Sequence, residues 1–228
     1  MIQFYYSLAP NPMKVALMLE ETGLAYEAVP VDTRKGEQHG PDIVRLNPNA
    51  KVPILVDGEA VVFDSSAILM YLAEKTGQFG PGTSPKERGE FLSWQFFVSS
   101  GIGPYSGQAV HFKHFAPEPI PYAQTRYMFE AKRHYGILDE RLSRHRYMLG
   151  ETYTILDMNV WGWTRMVPFL FGEEGYATYP NVKRHLDEIS ARPAAARVNA
   201  LRERHAFKAE MDEEARRHMF RHLDQTAA

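Results

Sequence analysis

The periodicity of this chain changes once, and that change dictates its architecture. As far as Gly77, short apolar alternations trade with helix-period stretches. Beyond Gly80-Pro81-Gly82-Thr83-Ser84-Pro85, a run of turn formers, the strand pattern vanishes and only helical periods remain. At 228 residues the chain accommodates two domains with a shared interface. The pattern predicts a strand-bearing domain over 1–79, a linker over 80–85 and an all-helical domain over 86–228.

In the first domain, residues 2–7 read as a strand that Pro10-Asn11-Pro12 breaks. Met13 to Thr22 carries Val15, Leu17, Met18 and Leu19 at helical period, and Gly23 stops it. Tyr26 to Asp32 alternates as a second strand, followed by a polar stretch from Thr33 to Gly40. Val52 to Asp57 is a third strand, Asp57-Gly58 a hairpin signal into Glu59 to Asp64, and Ser65 to Thr76 a helix closed by Gly77. This β-α-β, link, β-β-α order predicts an α/β thioredoxin-like domain, a small mixed sheet with helices on its faces. The adjacent aromatics Tyr5 and Tyr6 fit the core of the first strand. Helices are expected over 86–115, 122–147, 155–171, 181–191 and 194–222, the last charged, lying on the surface and fraying after Leu223.

Composition narrows the function. Lys and Arg number 26 against 28 Asp and Glu, without the clustered basic excess of a nucleic-acid footprint. No apolar run is long enough to span a bilayer, and Met1-Ile2-Gln3-Phe4 lacks the basic and apolar regions of a signal peptide, so a cytoplasmic location is expected. The nine histidines fall in no ligand motif, and no metal site is expected. The chain has no cysteine. Any thiol chemistry it performs must use a thiol brought from outside.

Four stretches carry the local chemistry. In Lys51-Val52-Pro53-Ile54, a cis turn at Pro53 would leave the Val52 amide and carbonyl free to pair with a peptide-like ligand as an added strand; an ordinary trans proline at a strand start is the alternative. Asp64-Ser65-Ser66 opens a helix, either as a plain N-cap or also as a seat for a carboxylate, with Asp64 accepting an ammonium. Ser7-Leu8-Ala9-Pro10-Asn11-Pro12 joins the first strand to the first helix. It offers a hydroxyl and an amide to a guest thiolate, unless Asn11 simply caps the helix that Pro12 begins. Thr154 and Asp157 have capping-box spacing and are structural.

Together these residues resemble the cytosolic glutathione transferase family over nearly the whole chain. Asn47-Pro48-Asn49-Ala50-Lys51-Val52-Pro53 is similar to the family's NP-x-x-KVP signature, and Asp64-Ser65-Ser66-Ala67-Ile68 to its E-S-x-A-I signature, with Asp for Glu. The stretches Ala73-Glu74-Lys75-Thr76-Gly77, Gly101-Ile102-Gly103-Pro104 and Ile120-Pro121-Tyr122-Ala123 look most like the bacterial nu class and the Ure2-like proteins, which reduce disulfides with glutathione. The resemblance implies a cis Pro53, glutathione as co-substrate and a homodimer. It places the Asn11 amide beside the glutathione sulfur, with the Ser7 hydroxyl as the other candidate. Ala9 stands where that class usually has Thr. The same likeness pairs Val52 with the cysteinyl backbone, gives Asp64 and Ser65 the γ-glutamyl end, and sends Gln38 and Lys51 towards the glycyl carboxylate. Tyr105, Gln108 and His111 follow the Gly101/Gly103 pair at helical spacing and are expected to line a second-substrate site in the room that the glycines leave.

The leading expectation is a glutathione-dependent disulfide reductase in which both reacting sulfurs belong to small molecules. The alternatives are a conjugating transferase or ether-cleaving lyase acting on an aromatic electrophile, and a non-catalytic binding module.

Overall fold

The chain's structure is a computed structural model that describes residues 1–224. Four strands form the first domain's sheet: β1 (Ile2–Tyr6), β2 (Tyr26–Pro30), β3 (Ile54–Asp57) and β4 (Ala60–Phe63), in the order β2-β1-β3-β4. β1 and β2 run parallel with Phe4 opposite Ala28, so the connection between them must cross over, and α1 (Pro10–Thr22) makes it. β3 pairs antiparallel with β1 and with β4, the latter through the hairpin at Gly58, whose φ of 61° suits glycine. The stretch between β2 and β3 holds two elements that the sequence reading left unassigned, a 3₁₀ turn at Glu37–His39 and α2 (Pro41–Leu46). α3 (Ser65–Thr76) ends, as expected, at Gly77 in the left-handed region. Tyr6 is fully buried, consistent with a core role.

Beyond the linker, α4 (Pro85–Phe96) starts on a Ser84–Glu87 capping box. The helical run continues through a π-helical segment at Phe97–Ile102, α5 (Gly103–Val110) and a second π-helical segment at His111–Phe115. The helix expected over 86–115 is therefore one rod with two widened stretches flanking α5. α6 (Pro121–Arg144) crosses it, and α7 (Ile155–Thr164) packs into the first domain against α1 and α3. The helix expected over 155–171 breaks at Met166, where the backbone turns (φ −90°, ψ 0°) and Pro168 opens α8 (Val167–Phe171). α9 (Gly175–Thr178), α10 (Pro180–Ser190), α11 (Pro193–Asn199) and α12 (Leu201–Arg204) follow.

The single surface helix expected over 194–222 does not form. His205 is extended (φ −135°, ψ 132°), and Phe207 lays its ring edge-on against Tyr6 at 5.7 Å. The chain then crosses the first domain before Asp212, accepting from the Ala215 amide at 2.8 Å, caps α13 (Glu213–Met219) and leads into a 3₁₀ turn at Arg221–Asp224. One apolar ring docking on the other domain is enough to defeat a helix with little else to bury. The fraying expected after Leu223 falls almost wholly outside the described residues.

Candidate functional site

The loop after β1 brings the expected sulfur-handling residues to the start of α1. Ala9 (φ −69°, ψ 160°) is the N-cap and the helix begins at Pro10, so Asn11 lies in the first turn and does not cap the helix. Pro10 and Pro12 have no N–H. The first-turn donors nearest the helix start are therefore the backbone N–H and side-chain amide of Asn11. That amide is half-buried and makes no hydrogen bond among the described residues. Ser7 is buried, and its hydroxyl oxygen only faces the Ala9 amide at 3.5 Å.

Two further turns converge on the same edge of the sheet. The Val52–Pro53 peptide is cis, and Val52 pairs with no strand among the described residues. Asn47 steadies the turn by donating to the Lys51 carbonyl at 2.8 Å, while the Lys51 side chain stays exposed. Asp64 holds the unusual backbone angles φ 72° and ψ 125°. A non-glycine residue in such a conformation stores roughly 1–3 kcal/mol of strain and is most often found at ligand clamps and active sites. One carboxylate oxygen of Asp64 accepts from the Ser66 and Ala67 amides at 2.8 and 3.2 Å; the other has no partner among the described residues and the side chain is exposed. Ser65 sits buried at the first position of α3.

Beneath these turns lies a charge that sequence reasoning missed. Lys14 is only 2% exposed, and no hydrogen bond or ion pair reaches its ammonium among the described residues. Burial lowers its pKa from 10.5 to about 7, against the opposing field of Asp64. Its stem lies over Gly162 of α7, where an added Cβ would come within 2.4 Å of Lys14 Cγ and 2.7 Å of the Pro10 carbonyl. Its ammonium stands 5.8 Å from the centre of the Trp163 ring. One turn back on α7, Asn159 donates to Ser66 Oγ at 3.1 Å and to Gln95 at 3.2 Å, tying α3 to α4. The signal for this interface was the Trp161-Gly162-Trp163 triplet, a small residue between two large ones on a buried helix. Nothing local marked Lys14.

The second-substrate candidates do not all gather. Tyr105 turns to α6 and stacks on His134 at 5.0 Å. Gln108 is exposed with no side-chain partner among the described residues. His111 lies 4.6 Å from the Phe220 ring; burial, then the neighbouring His222, holds its pKa below the ordinary value. The room expected at the glycines is already filled: a Cβ on Gly101 would meet His134 Nε2 at 2.6 Å and one on Gly103 would meet Trp163 Nε1 at 3.2 Å. These positions are small because two rings pack into them. Gln38 is buried, with its amide nitrogen donating to the Thr33 and His218 carbonyls at 3.3 and 3.2 Å. Among the described residues no three His, Asp or Glu side chains gather as a metal site would require, and no helix is long and apolar enough to cross a membrane.

Two family models match this sequence: glutathione S-transferase, N-terminal domain, over residues 3–74, and glutathione S-transferase, C-terminal domain, over residues 122–193. The disulfide-bond oxidoreductase YfcG of Escherichia coli K12 is 41% identical over 205 residues, spanning 87% of this chain and 94% of that protein. Among solved structures, a glutathione transferase family member from Pseudomonas fluorescens Pf-5 with two glutathiones bound matches with a TM-score of 0.81 at 38% identity, over 86% of this chain and 91% of that one. The glutathione transferase URE2P6 from Phanerochaete chrysosporium, in complex with oxidised glutathione, matches with a TM-score of 0.82 at 32% identity, over 89% and 96% of the two chains.

Proposed function

This chain belongs to the glutathione S-transferase family, and from that premise we propose that it is a cytoplasmic, glutathione-dependent disulfide reductase that uses two glutathione thiols and no cysteine of its own. The observation that carries the reading is the Asn11 amide in the first turn of α1, without a partner among the described residues, in a chain that has no cysteine. A glutathione thiolate accepting from Asn11 attacks one sulfur of the substrate disulfide. A mixed disulfide forms and the other substrate sulfur leaves as a thiolate. A second glutathione thiolate then attacks the glutathione sulfur of that mixed disulfide, yielding glutathione disulfide and the second product thiol. The protein holds both sulfurs in line and stabilises the attacking charge, and forms no covalent bond itself.

The free backbone of Val52 suits the cysteinyl amide and carbonyl of glutathione. The open oxygen of Asp64 suits its γ-glutamyl ammonium, and the start of α3 at Ser65 suits its carboxylate. Exposed Lys51 is available to the glycyl carboxylate. Gln108 and His111 are the better-placed second-substrate residues, since Tyr105 is engaged with His134. The aromatic rings of Trp163, Phe115 and Phe220 near α5 favour a second reading, conjugation of an aromatic electrophile.

A pair of variants separates binding from chemistry. Asp64→Asn keeps the cap acceptor but removes the charge, and is expected to weaken glutathione binding by about 1.5–3 kcal/mol. Asn11→Ala is expected to leave binding nearly intact while lowering turnover of a small disulfide by roughly ten- to a hundredfold. Calorimetry and steady-state assays with a small disulfide and an aryl chloride read both. Full disulfide turnover by Asn11→Ala would move the thiolate role to Ser7 or the backbone; wild-type protein that consumes only the aryl chloride would establish the transferase.

The same reading includes a homodimer. Val61 and Phe63 on β4 and Phe96 and Phe129 on α4 and α6 are large, apolar and exposed in the single chain. Beside Phe129 on α6 a concavity of about 540 Å³, lined in part by Trp94, Arg133, Gly136 and Arg141, leaves room for a partner's side chains. β4 of one copy against α4 and α6 of the other would cover both patches in one isologous contact. Light scattering at micromolar concentration is expected to give twice the chain mass; a monomer would refute the arrangement.

A further inference from the structure

One buried titratable group takes no part in the reaction proposed above, and it lies on the same helix as Asn11. Lys14 follows Asn11 by three positions on α1, so the two side chains share a helix face and the lysine stem leans back towards the first turn. Gly162 of α7 leaves the space for that stem. A Cβ there would meet the Pro10 carbonyl at 2.7 Å and Lys14 Cε at 3.0 Å, so the carbon that bears the ammonium crowds the start of α1. The ammonium faces the Trp163 ring at 5.8 Å, and that ring reaches across to Gly103 and Gly107 of α5. It therefore sits where the two domains meet, behind the turn that carries Asn11.

A cation in this place is costly to the free protein. It is buried without a hydrogen bond or ion pair among the described residues, and it leans towards the positive end of the α1 dipole. The charged and titratable groups on the elements packed around α1 are engaged elsewhere. On α7, Asp157 serves Met148, Thr154 and His185. Arg197 of α11 and its N-cap Arg192 pair with Glu20 and Glu21 at the far end of α1. On α3, Lys75 and Tyr71 both meet Asp57, and Glu74 is exposed. On β1, the Tyr6 hydroxyl meets His205, and Tyr5 packs on the cluster of Val31, Ile43 and Ile54. Burial lowers the Lys14 pKa to about 7, and the field of Asp64 alone opposes it. Asp64 is also the residue offered to the γ-glutamyl ammonium. Once that ammonium neutralises it, the negative charge that answers Lys14 has to come from glutathione itself.

We propose that Lys14 is the buried counter-charge of the glutathione thiolate: Asn11 donates the hydrogen bond to the sulfur, and Lys14 supplies the field that favours its ionised form. The role rests on the glutathione-binding reading above. Lys14 acts through the first turn of α1 and is a positioning residue. The linkage is reciprocal, so a thiolate at Asn11 strengthens the hold of Lys14 on its proton by the same factor that Lys14 favours the thiolate. A charge that weakens the empty protein is offset in the loaded one, a compromise common at functional sites. Turnover, which needs the thiolate, then rises at a lower pH in the wild type than in a chain without this charge.

The test titrates bound glutathione in the wild type, in Lys14→Met and in Lys14→Gln, by the ultraviolet absorbance of the thiolate read against the complex with S-methylglutathione. Both variants are expected to raise the bound thiol pKa by about one unit, a tenfold loss of thiolate at neutral pH, and to move the pH profile of kcat for a small disulfide up by the same amount. Affinity for S-methylglutathione, which has no thiol to ionise, is expected to change less than about twofold at pH 6. A merely structural lysine would not move the thiol titration while sparing that affinity. A bound thiol pKa that is the same in all three proteins would overturn the role while leaving the glutathione reading standing. An equal loss of affinity for glutathione and for S-methylglutathione would overturn it as well, since the lysine would then only shape the site. Wild-type protein that binds neither compound would bring down the glutathione reading itself, and this role with it.

Discussion

Asp157→Ala is expected to cost about 3–5 kcal/mol of stability, a large fraction of what a natural protein has to lose. The carboxylate is fully buried and accepts four bonds: Met148 N–H at 2.7 Å and His185 Nε2–H at 2.9 Å on one oxygen, Thr154 N–H at 2.9 Å and its hydroxyl at 3.1 Å on the other. Alanine leaves two backbone amides, a hydroxyl and an imidazole without an acceptor where water cannot reach. In a chain of this length the loss corresponds to a fall of roughly 6–20 °C in Tm. Asp157→Asn, which keeps one acceptor oxygen, should lose about half as much. The damage also reaches the candidate site, because α7 begins here and carries Asn159, Gly162 and Trp163. Thermal unfolding followed by circular dichroism checks the figure; an Asp157→Ala protein within a degree of wild type would mean that the box is dispensable.

That box was legible from Thr154 and Asp157 alone, because a capping box is written in residues three apart. The strands, the Gly58 hairpin, the Asp64 cap and the stop at Gly77 were legible for the same reason: each depends on neighbours in sequence. The boundaries that slipped were those decided from afar. Helix α1 starts at Pro10 instead of Met13, because a proline in the first turn costs nothing and the loop is closed by α7 packing. The helix expected over 194–222 failed because Phe207 finds Tyr6, some two hundred positions away in sequence. Asp212, a good N-cap in front of Ala215, was a visible sign that a new helix began there. The glycines at 101 and 103 were read as room for a second substrate, and sequence could not say that His134 and Trp163 fill that room. The turns that hold Asn11, Val52, Asp64 and Ser65 were legible because each is written in neighbouring residues; the covering of Gln38 by His218 was invisible because it joins opposite ends of the chain.

Lys14 is the extreme case of such a hidden contact, and replacing it by methionine is expected to stabilise the protein most at low pH. A lysine reads as a solvated face, yet this one lies between α1 and α7 with its pKa lowered from 10.5 to about 7 by burial. Below about 7 the folded and unfolded chains both hold the proton, and the folded state bears the full penalty of a buried ammonium. As pH rises from there towards 10.5 the folded state sheds its proton first, so the penalty shrinks and stability climbs. At about 1.36 kcal/mol per pH unit, the full penalty is on the order of 5 kcal/mol, of which about 2–3 kcal/mol is relieved by pH 9. Methionine fills the slot against Gly162 with nearly the same length and no charge, so Lys14→Met should be more stable than wild type at pH 6 by several kcal/mol and by much less at pH 9. Comparing the two proteins at each pH cancels the titration of every other group, provided the substitution leaves them alone. Urea midpoints at both pH values supply the measurement. If the gap between the two proteins is the same at pH 6 and pH 9, or if the variant is the less stable at pH 6, then the field of Asp64 and the face of Trp163 already offset the burial, and the ammonium beneath the candidate site is held charged by its surroundings.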